Sequence, residues 1–172
     1  MYEKNKSTCY KIVFEQAISF RNFHSTKNNS MNTVSFVLNR KNFSPVTITS
    51  ETTVLEALQI MAEKNIGSLV VMDGDEYRGI VTERDYSRKV ILRGKNSTDT
   101  RVADIMSTDL PRINPADKIE YCMELMSNKN IRYLPVFENN RLTGIISMSD
   151  VVKETILAQK ETINQLQSYI HS

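Results

Sequence analysis

The sequence predicts a mixed α/β (α+β) fold made of two copies of one β-α-β-β-α unit, followed by a long C-terminal helix. The first observation is an internal repeat: residues 54–85 align with residues 119–150 at a constant offset of 65 positions, without a gap. The second is that helical spacing of apolar residues alternates with short apolar runs in both copies. Because one such unit is too small to bury a core alone, we expect the two to pack together as a pseudo-two-fold pair. The nine identical pairs are Met61/Met126, Lys64/Lys129, Asn65/Asn130, Ile66/Ile131, Leu69/Leu134, Val71/Val136, Gly79/Gly144, Ile80/Ile145 and Asp85/Asp150.

The first copy, at residues 31–94, shows the elements of the unit in order. Apolar residues at 34–38 predict a short turn, and residues 46–48 predict a brief strand. The stretch at 50–53 supplies candidate helix caps in its three hydroxyl residues, and apolar residues then recur at helical spacing over 53–65. The remaining predicted elements are strands at 68–72 and 78–82, joined by a turn at 73–75, and a helix over 83–92 that Gly94 ends.

A polar linker at 95–100 separates this copy from the second, at residues 101–155. Residues 102–106 echo the apolar turn at 34–38. The same order of elements then follows, which is why the alignment needs no gap. The predicted elements are a helix that begins at 114–117 and ends near Lys129, strands at 133–137 and 142–147 with a turn between them, and a last helix that begins at Asp150.

Residues 1–30 are predicted to form an extension rather than part of a repeat. They carry five basic residues against two acidic ones, a balance of +3. Their short amphipathic periodicity and their Ser and Thr content resemble a mitochondrial presequence, whereas Glu3 and Glu15 do not fit one. A disordered extension of a cytoplasmic protein is the prediction, and a presequence leading to the mitochondrial matrix is the alternative.

The composition narrows the classes of function. Net charge is +2 over 172 residues, and since the extension holds +3 the remainder is −1, so the sequence lacks the dense basic surface that nucleic-acid binding requires. No apolar run approaches the roughly 20 residues of a membrane helix. Two cysteines, Cys9 and Cys122, form no disulfide framework and fit a reducing compartment. We therefore predict a soluble protein without nucleic-acid or membrane partners.

The two copies end alike, in the stretches GIVTERD and GIISMSD. Each predicts an apolar strand that reaches a hydroxyl residue, Thr82 or Ser147, with an aspartate, Asp85 or Asp150, three residues later at a helix start. Backbone N–H groups and the positive end of a helix favour phosphate, and a carboxylate there can accept hydrogen bonds from ribose hydroxyls. The same aspartates and hydroxyls would also serve as helix caps with no ligand bound.

These ends, together with the stretch NIRYLPV at 130–136, resemble the tandem CBS-domain family, in which two repeats form a Bateman module. The resemblance covers about residues 33–155 and is close to stand-alone bacterial CBS-pair proteins, and related pairs occur in plant mitochondria. It implies a regulatory module, not an enzyme, that binds adenosine nucleotides in clefts between the repeats. AMP is the ligand we expect, with ADP, ATP, NAD and S-adenosylmethionine as alternatives; no catalytic cofactor and no metal is expected.

The resemblance also assigns roles to residues of this sequence. Asp85 and Asp150 would bind ribose hydroxyls, one in each cleft, with Thr82 and Ser147 near the ribose or phosphate. The candidates for phosphate binding are Arg84, Arg132, Arg88 and Lys89. The candidates for the adenine pocket are Val46, Thr47, Ile66, Gly67, Asp109, Pro111, Ile131, Tyr133 and Pro135.

The two clefts are not expected to be equivalent. Arg132 stands where the first copy has Gly67, and we predict that the cleft containing Asp150 and Arg132 binds more tightly. The other cations, Arg84 among them, would form an ordinary solvated face if no ligand binds.

The C-terminal extension at 156–172 continues the last helix. Its apolar residues follow a 4-3-4-3-4 spacing, a heptad-like seam with one polar member: Val152, Ile156, Gln159, Ile163, Leu166 and Ile170. Such a stripe either lies on its own domain or pairs with a second chain. Because CBS pairs commonly form dimers, we predict a homodimer that regulates a protein partner the sequence does not name. The alternative function is a structural dimerisation module with degenerate clefts, which regulates that partner without a ligand.

Overall fold

The computed structural model describes residues 32–41 and 44–170, and the extension at residues 1–30 lies outside them. The described chain confirms the mixed α/β fold, with two small sheets and five α-helices, the last of them long. The helices are α1 (Val34–Lys41), α2 (Val54–Lys64), α3 (Glu83–Lys89), α4 (Ile119–Lys129) and α5 (Met148–Ile170), with 3₁₀ turns at Ile91–Arg93 and Val102–Asp104. The strands are β1 (Thr47–Ile48), β2 (Ser68–Asp73), β3 (Glu76–Thr82), β4 (Tyr133–Glu138) and β5 (Arg141–Ser147).

The two sheets contain matching hairpins. In the first sheet β1 pairs parallel with β2 and β2 pairs antiparallel with β3, and in the second β4 pairs antiparallel with β5. Val71 faces Gly79 and Val136 faces Gly144, and the register shifts directly after both valines. The internal repeat therefore extends to the backbone register. The first strand of the unit is reduced in the second repeat to one parallel bridge between Ile113 and Val136.

The helices depart from the sequence prediction at their ends. The apolar turn predicted at 34–38 is part of helix α1, and the helix predicted at 83–92 divides into α3 and a 3₁₀ turn. Asn65 and Asn130 end α2 and α4 with φ of 51° and 53°. Asn tolerates this left-handed conformation better than most residues, which gives the identical Asn pair of the repeat a structural role.

The two repeats exchange short segments. The segment before the first repeat packs into the core of the second, and the segment before the second repeat packs into the core of the first. Val34 and Val37 of α1 are buried in the core of the second repeat. Val102 and Ile105 are buried in the core of the first repeat. Residues 34–41 and 102–107 are therefore two exchanged arms. Neither core is confined to the boundaries predicted for its repeat.

Glycines lie where the exchanged arms cross the hairpins. Ser107 and Ile80 exchange backbone hydrogen bonds of 2.8 and 3.1 Å. A Cβ added at Gly79 would lie 2.6 Å from the Ser107 carbonyl oxygen, and one added at Gly144 would lie 2.7 Å from Leu38 Cδ2. At both positions a side chain would meet the arm, which explains why both repeats carry glycine there.

The C-terminal helix α5 extends beyond the repeats. Val151 is fully buried and Glu154 is 4% exposed, whereas every side chain described from Gln159 to Tyr169 is exposed. The apolar seam residues with 46–58% exposure are Val152, Ile156, Ile163 and Leu166. In the single chain the stripe therefore does not pack on its own domain.

The two glycines predict different costs for the same substitution. Gly79→Ala should lower the free energy of unfolding by about 3 kcal/mol, because its obstacle is backbone, whereas Gly144→Ala should cost about 1 kcal/mol, because the Leu38 side chain can rotate away. Urea denaturation of both variants measures the difference. Equal costs would contradict this account of the exchanged arms.

Candidate functional site

A cleft of about 390 Å³ lies between the two repeats, within the range of small-molecule sites. The first repeat contributes the end of β3 and the start of α3, and the second contributes the end of α4 and the start of β4. The residues that line it are Gly67, Ile80, Thr82, Glu83, Arg84, Asp85, Arg88, Lys89, Ser107, Leu110, Lys129, Asn130, Ile131, Arg132 and Tyr133.

Asp85 holds the start of α3 in place. The Thr82 amide and hydroxyl donate to Asp85 Oδ2 at 3.1 and 2.6 Å, and the Asp85 amide donates to the Thr82 hydroxyl at 3.1 Å. This reciprocal capping box is the ligand-free role expected for both residues. The other oxygen, Oδ1, accepts from Lys89 Nζ at 2.8 Å and from the Ser107 hydroxyl at 3.4 Å. Oδ1 therefore faces Lys89 and Ser107, two polar side chains that line the cleft.

Cations from both repeats line the cleft. Five basic side chains and two acidic ones contribute, so the lining carries a net charge of +3. Within the described chain, Lys89 is the one of the five that forms an ion pair. Arg84 donates to the Asn130 carbonyl at 3.2 Å and so links α3 to the end of α4. The cleft thus presents a surplus of positive charge beside a carboxylate.

Gly67 and Tyr133 meet across the cleft. A Cβ added at Gly67 would lie 3.1 Å from the Tyr133 hydroxyl and 3.4 Å from Glu83 Oε2. The glycine therefore leaves space that a larger residue would fill. The aromatic ring of Tyr133 offers a wall suited to a flat base.

Asp150 forms the matching cap on α5 but is not among the residues that line the cleft. The Ser147 amide and hydroxyl donate to Asp150 Oδ2 at 2.8 and 2.6 Å, and Lys41 Nζ donates to the same oxygen at 2.8 Å. Burial is the largest influence and raises the pKa of Asp150. Hydrogen bonds from Lys41 and Ser147, with the charge of Lys41, outweigh it and hold the pKa below its ordinary value of 3.8.

The sequence predicts that Arg132 shares a cleft with Asp150, and the cleft of about 390 Å³ contains Arg132 but not Asp150. Arg132 lines the cleft with Asp85, because the corner between α4 and β4 faces the start of α3 across the repeats. The predicted residues that the structure brings together there are Thr82, Arg84, Asp85, Arg88, Lys89, Arg132, Gly67, Ile131 and Tyr133.

Six residues predicted for the adenine pocket do not line this cleft. Val46 and Ile66 pack against the first core instead. Pro135 is buried in β4, where its carbonyl accepts from the Ile113 amide at 3.1 Å. The other three are Thr47 and Asp109, which are exposed, and Pro111, which is half-buried.

The sequence prediction missed several lining residues. Glu83 lies inside the GIVTERD stretch, and Lys129 and Asn130 directly precede the predicted Ile131, so the motifs themselves pointed to these three. Ser107 and Leu110 carried no such signal, because their placement depends on the exchanged arm.

The described residues contain no group of three or more His, Cys, Asp or Glu side chains that could hold a metal ion. Cys122 is buried, and burial with the nearby Asp117 raises the pKa of its thiol to about 12. Both histidines of the sequence lie outside the described residues. None of the described helices is long and apolar enough to cross a membrane.

Comparison with known proteins gives concordant matches. Residues 38–91 and 102–156 match the family model described as CBS domain. The CBS domain-containing protein CBSX3, mitochondrial, of Arabidopsis thaliana is 37% identical over 127 residues, which cover 71% of this chain and 62% of the relative. The chain thus matches less than two thirds of that relative's length.

Solved structures agree on the fold. A protein with CBS domains from Burkholderia ambifaria MC40-6 is 40% identical, with a TM-score of 0.68, over 73% of this chain and 94% of its own. The CBS domain pair of protein MJ0100, solved with 5′-methylthioadenosine and S-adenosyl-L-methionine, is 24% identical, with a TM-score of 0.61, over 70% and 93% of the two chains. The family model covers more than half of the chain, and its two matches fall on the two structural repeats. The chain belongs to the CBS-domain family and carries the domain as a tandem pair.

Proposed function

We propose that the protein is a non-enzymatic regulatory module that binds AMP in the cleft between its two repeats. The proposal rests on one observation: Asp85 and basic side chains from both repeats line the same cleft. A carboxylate can accept both hydroxyls of a ribose, and guanidinium groups suit phosphate.

The charge of the cleft favours a phosphate-bearing ligand. Its net charge of +3 attracts a phosphate and repels a sulfonium, so AMP, ADP, ATP or NAD fits better than S-adenosylmethionine. AMP is our first choice because Arg132 and one hydroxyl suffice for a single phosphate. The adenine would lie against Tyr133 and Ile131. The MJ0100 pair, solved with 5′-methylthioadenosine and S-adenosyl-L-methionine, supports a ligand that contains adenosine; neither of its ligands carries a phosphate, so the preference for phosphate rests on the charge of this cleft.

Binding in this cleft would act on the relative pose of the repeats. The ligand would touch the start of α3 on one side and the corner between α4 and β4 on the other, which the bond from Arg84 to Asn130 already connects. A ligand that prefers one pose shifts the equilibrium toward it, and a protein partner would respond to that pose.

The ligand prediction can be tested by thermal denaturation of the full chain with AMP, ATP, NAD and S-adenosylmethionine. AMP at about 100 times its dissociation constant should add about 2.7 kcal/mol of stability, a shift of several degrees. Asp85→Asn should abolish the shift, because it removes the carboxylate charge while the amide can still cap α3. Arg132→Gln should weaken it.

Asp150→Asn is the matched control, since Asp150 makes the same cap outside the cleft. That variant should keep the AMP shift. If no adenosine ligand shifts the transition, or if Asp150→Asn abolishes the shift and Asp85→Asn does not, the proposed site is overturned.

The exposed seam of α5 favours a homodimer. Its apolar residues keep the heptad-like spacing and stay about half exposed in the single chain. A second copy offers the same stripe, so the two helices can bury each other. The seam is also the observation that favours the second candidate function, a structural dimerisation module that regulates its partner without a ligand.

Light scattering after gel filtration tests the dimer. The full chain should elute as a dimer, and Ile163→Glu/Leu166→Glu should elute as a folded monomer, because charges would have to be buried in the seam. Gln165→Glu, on another face of the same helix, should remain dimeric. A wild-type monomer at micromolar concentration would refute the proposed pairing.

For the compartment we propose the cytoplasm, with the mitochondrial matrix as the alternative if residues 1–30 act as a presequence. The name of the plant relative, which calls it mitochondrial, supports the alternative. Imaging of the full chain and of a chain without residues 1–30, each fused to a fluorescent protein at its C-terminus, distinguishes the two.

A further inference from the structure

The charges around the two matching helix starts are arranged in opposite ways. The repeat offset pairs Asp85 with Asp150 and Lys89 with Glu154. In the first repeat the cation that meets the aspartate lies on the same helix, as Lys89. In the second repeat the corresponding helix, α5, carries the acidic Glu154 at the position of Lys89. The cation that meets Asp150 is Lys41, which comes from the exchanged arm of residues 34–41.

The exchanged arm of residues 34–41 is tied to the second repeat by two ion pairs. Lys41 Nζ lies 2.8 Å from Asp150 Oδ2 and 3.3 Å from the Ile145 carbonyl oxygen. Arg40 lies 2.6 Å from Glu154 Oε2. Glu154 is 4% exposed, and a carboxylate so buried needs a cation beside it. In the alignment of residues 34–38 with residues 102–106, the positions that match Arg40 and Lys41 are Thr108 and Asp109, so the segment at 102–107 is not followed by cations that could form such pairs.

The two aspartates therefore differ in how easily a ligand could take the place of lysine. Lys89 lies on the wall of the open cleft, on a helix without a buried side chain, and 42% of its own side chain is exposed. Besides Asp85 Oδ1, its Nζ donates to the Ile105 carbonyl oxygen at 2.5 Å. Lys41 belongs to a helix anchored by the fully buried Val34 and the nearly buried Val37. Lys41 is the last residue of that helix, so a ligand at Asp150 would have to displace a lysine side chain that the buried helix places beside the carboxylate.

We propose that Lys41 occupies the position at Asp150 that a ligand would otherwise take. Each chain then offers one nucleotide site, at Asp85. Asp150 accepts a ligand only when the Lys41 side chain moves away from it. The number of sites rests on the proposed function, whereas the occupancy of Asp150 by Lys41 does not. Lys41 is thus a residue that sets the stoichiometry of the module. Asp150, held in place by Ser147, binds Lys41 and so fixes the end of the exchanged arm of residues 34–41.

Two readouts on the full chain separate the parts of this proposal. The first is independent of any nucleotide: the side-chain carboxyl ¹³C of Asp150 is titrated by NMR. Its midpoint should lie below 3.8 in the wild type and rise in Lys41→Met, which keeps the length of the side chain and removes its charge. Arg88→Met, on the cleft wall, is the control that should leave the Asp150 midpoint unchanged. An Asp150 midpoint that ignores Lys41→Met would overturn the occupancy.

The second readout is the number of AMP molecules bound per chain, from calorimetry at saturating ligand. The wild type should bind one, and Lys41→Met should bind two. Two in the wild type, or one in both proteins, would show that Lys41 does not set the number of sites. If AMP does not bind at all, the proposed function fails, and the titration of Asp150 still decides whether Lys41 holds that carboxylate.

Discussion

The exchange of arms between the repeats is the constraint on which the rest of the structure depends. Val34 and Val37 fill the core of the second repeat, and Val102 and Ile105 fill that of the first. Neither repeat has a complete core of its own, so burial of apolar surface holds the pair together. The glycines under the arms allow the backbones to approach this closely. The cleft lies between the repeats because this exchange fixes their mutual position.

The same local chemistry then has two outcomes at the two helix starts. Thr82 with Asp85 and Ser147 with Asp150 make equivalent caps, with matching donors to Oδ2. At Asp85 the neighbouring cation is Lys89 of the same helix, beside an open cleft lined by four further cations. At Asp150 the neighbour is Lys41 from an anchored arm. The two copies of the motif therefore differ because of the residues around them. The copy at Asp85 lines a candidate ligand site, and the copy at Asp150 holds the exchanged arm.

Local patterns in the sequence were sufficient to predict most of the fold. The ungapped repeat gave both hairpins, and the structure adds that even the register shift after Val71 recurs after Val136. The caps at Thr82 and Ser147 followed from spacing alone. These features depend on residues close in sequence, whose periodicity and hydrogen-bonding capacity can be read directly.

The features that the sequence did not reveal depend on long-range contacts. The similarity of residues 102–106 to residues 34–38 does not indicate which core each arm packs into. Lys41 meets Asp150 across 109 positions, and no local signal marks that pair. The position of Arg132 beside Asp85 has the same origin, because the packing of the two repeats decides which residues line the cleft. The chemistry of the residues was therefore more predictable than their partners.

The most direct test of the account is a titration of the ¹⁵N-labelled full chain with AMP, followed by amide chemical shifts. The account predicts that the largest changes occur at Gly67, at residues 82–89 and at residues 130–133, while residues 145–150 change little. Changes centred on residues 145–150, or no changes at saturating AMP, would contradict the claim that the cleft at Asp85 is the ligand site of this CBS pair.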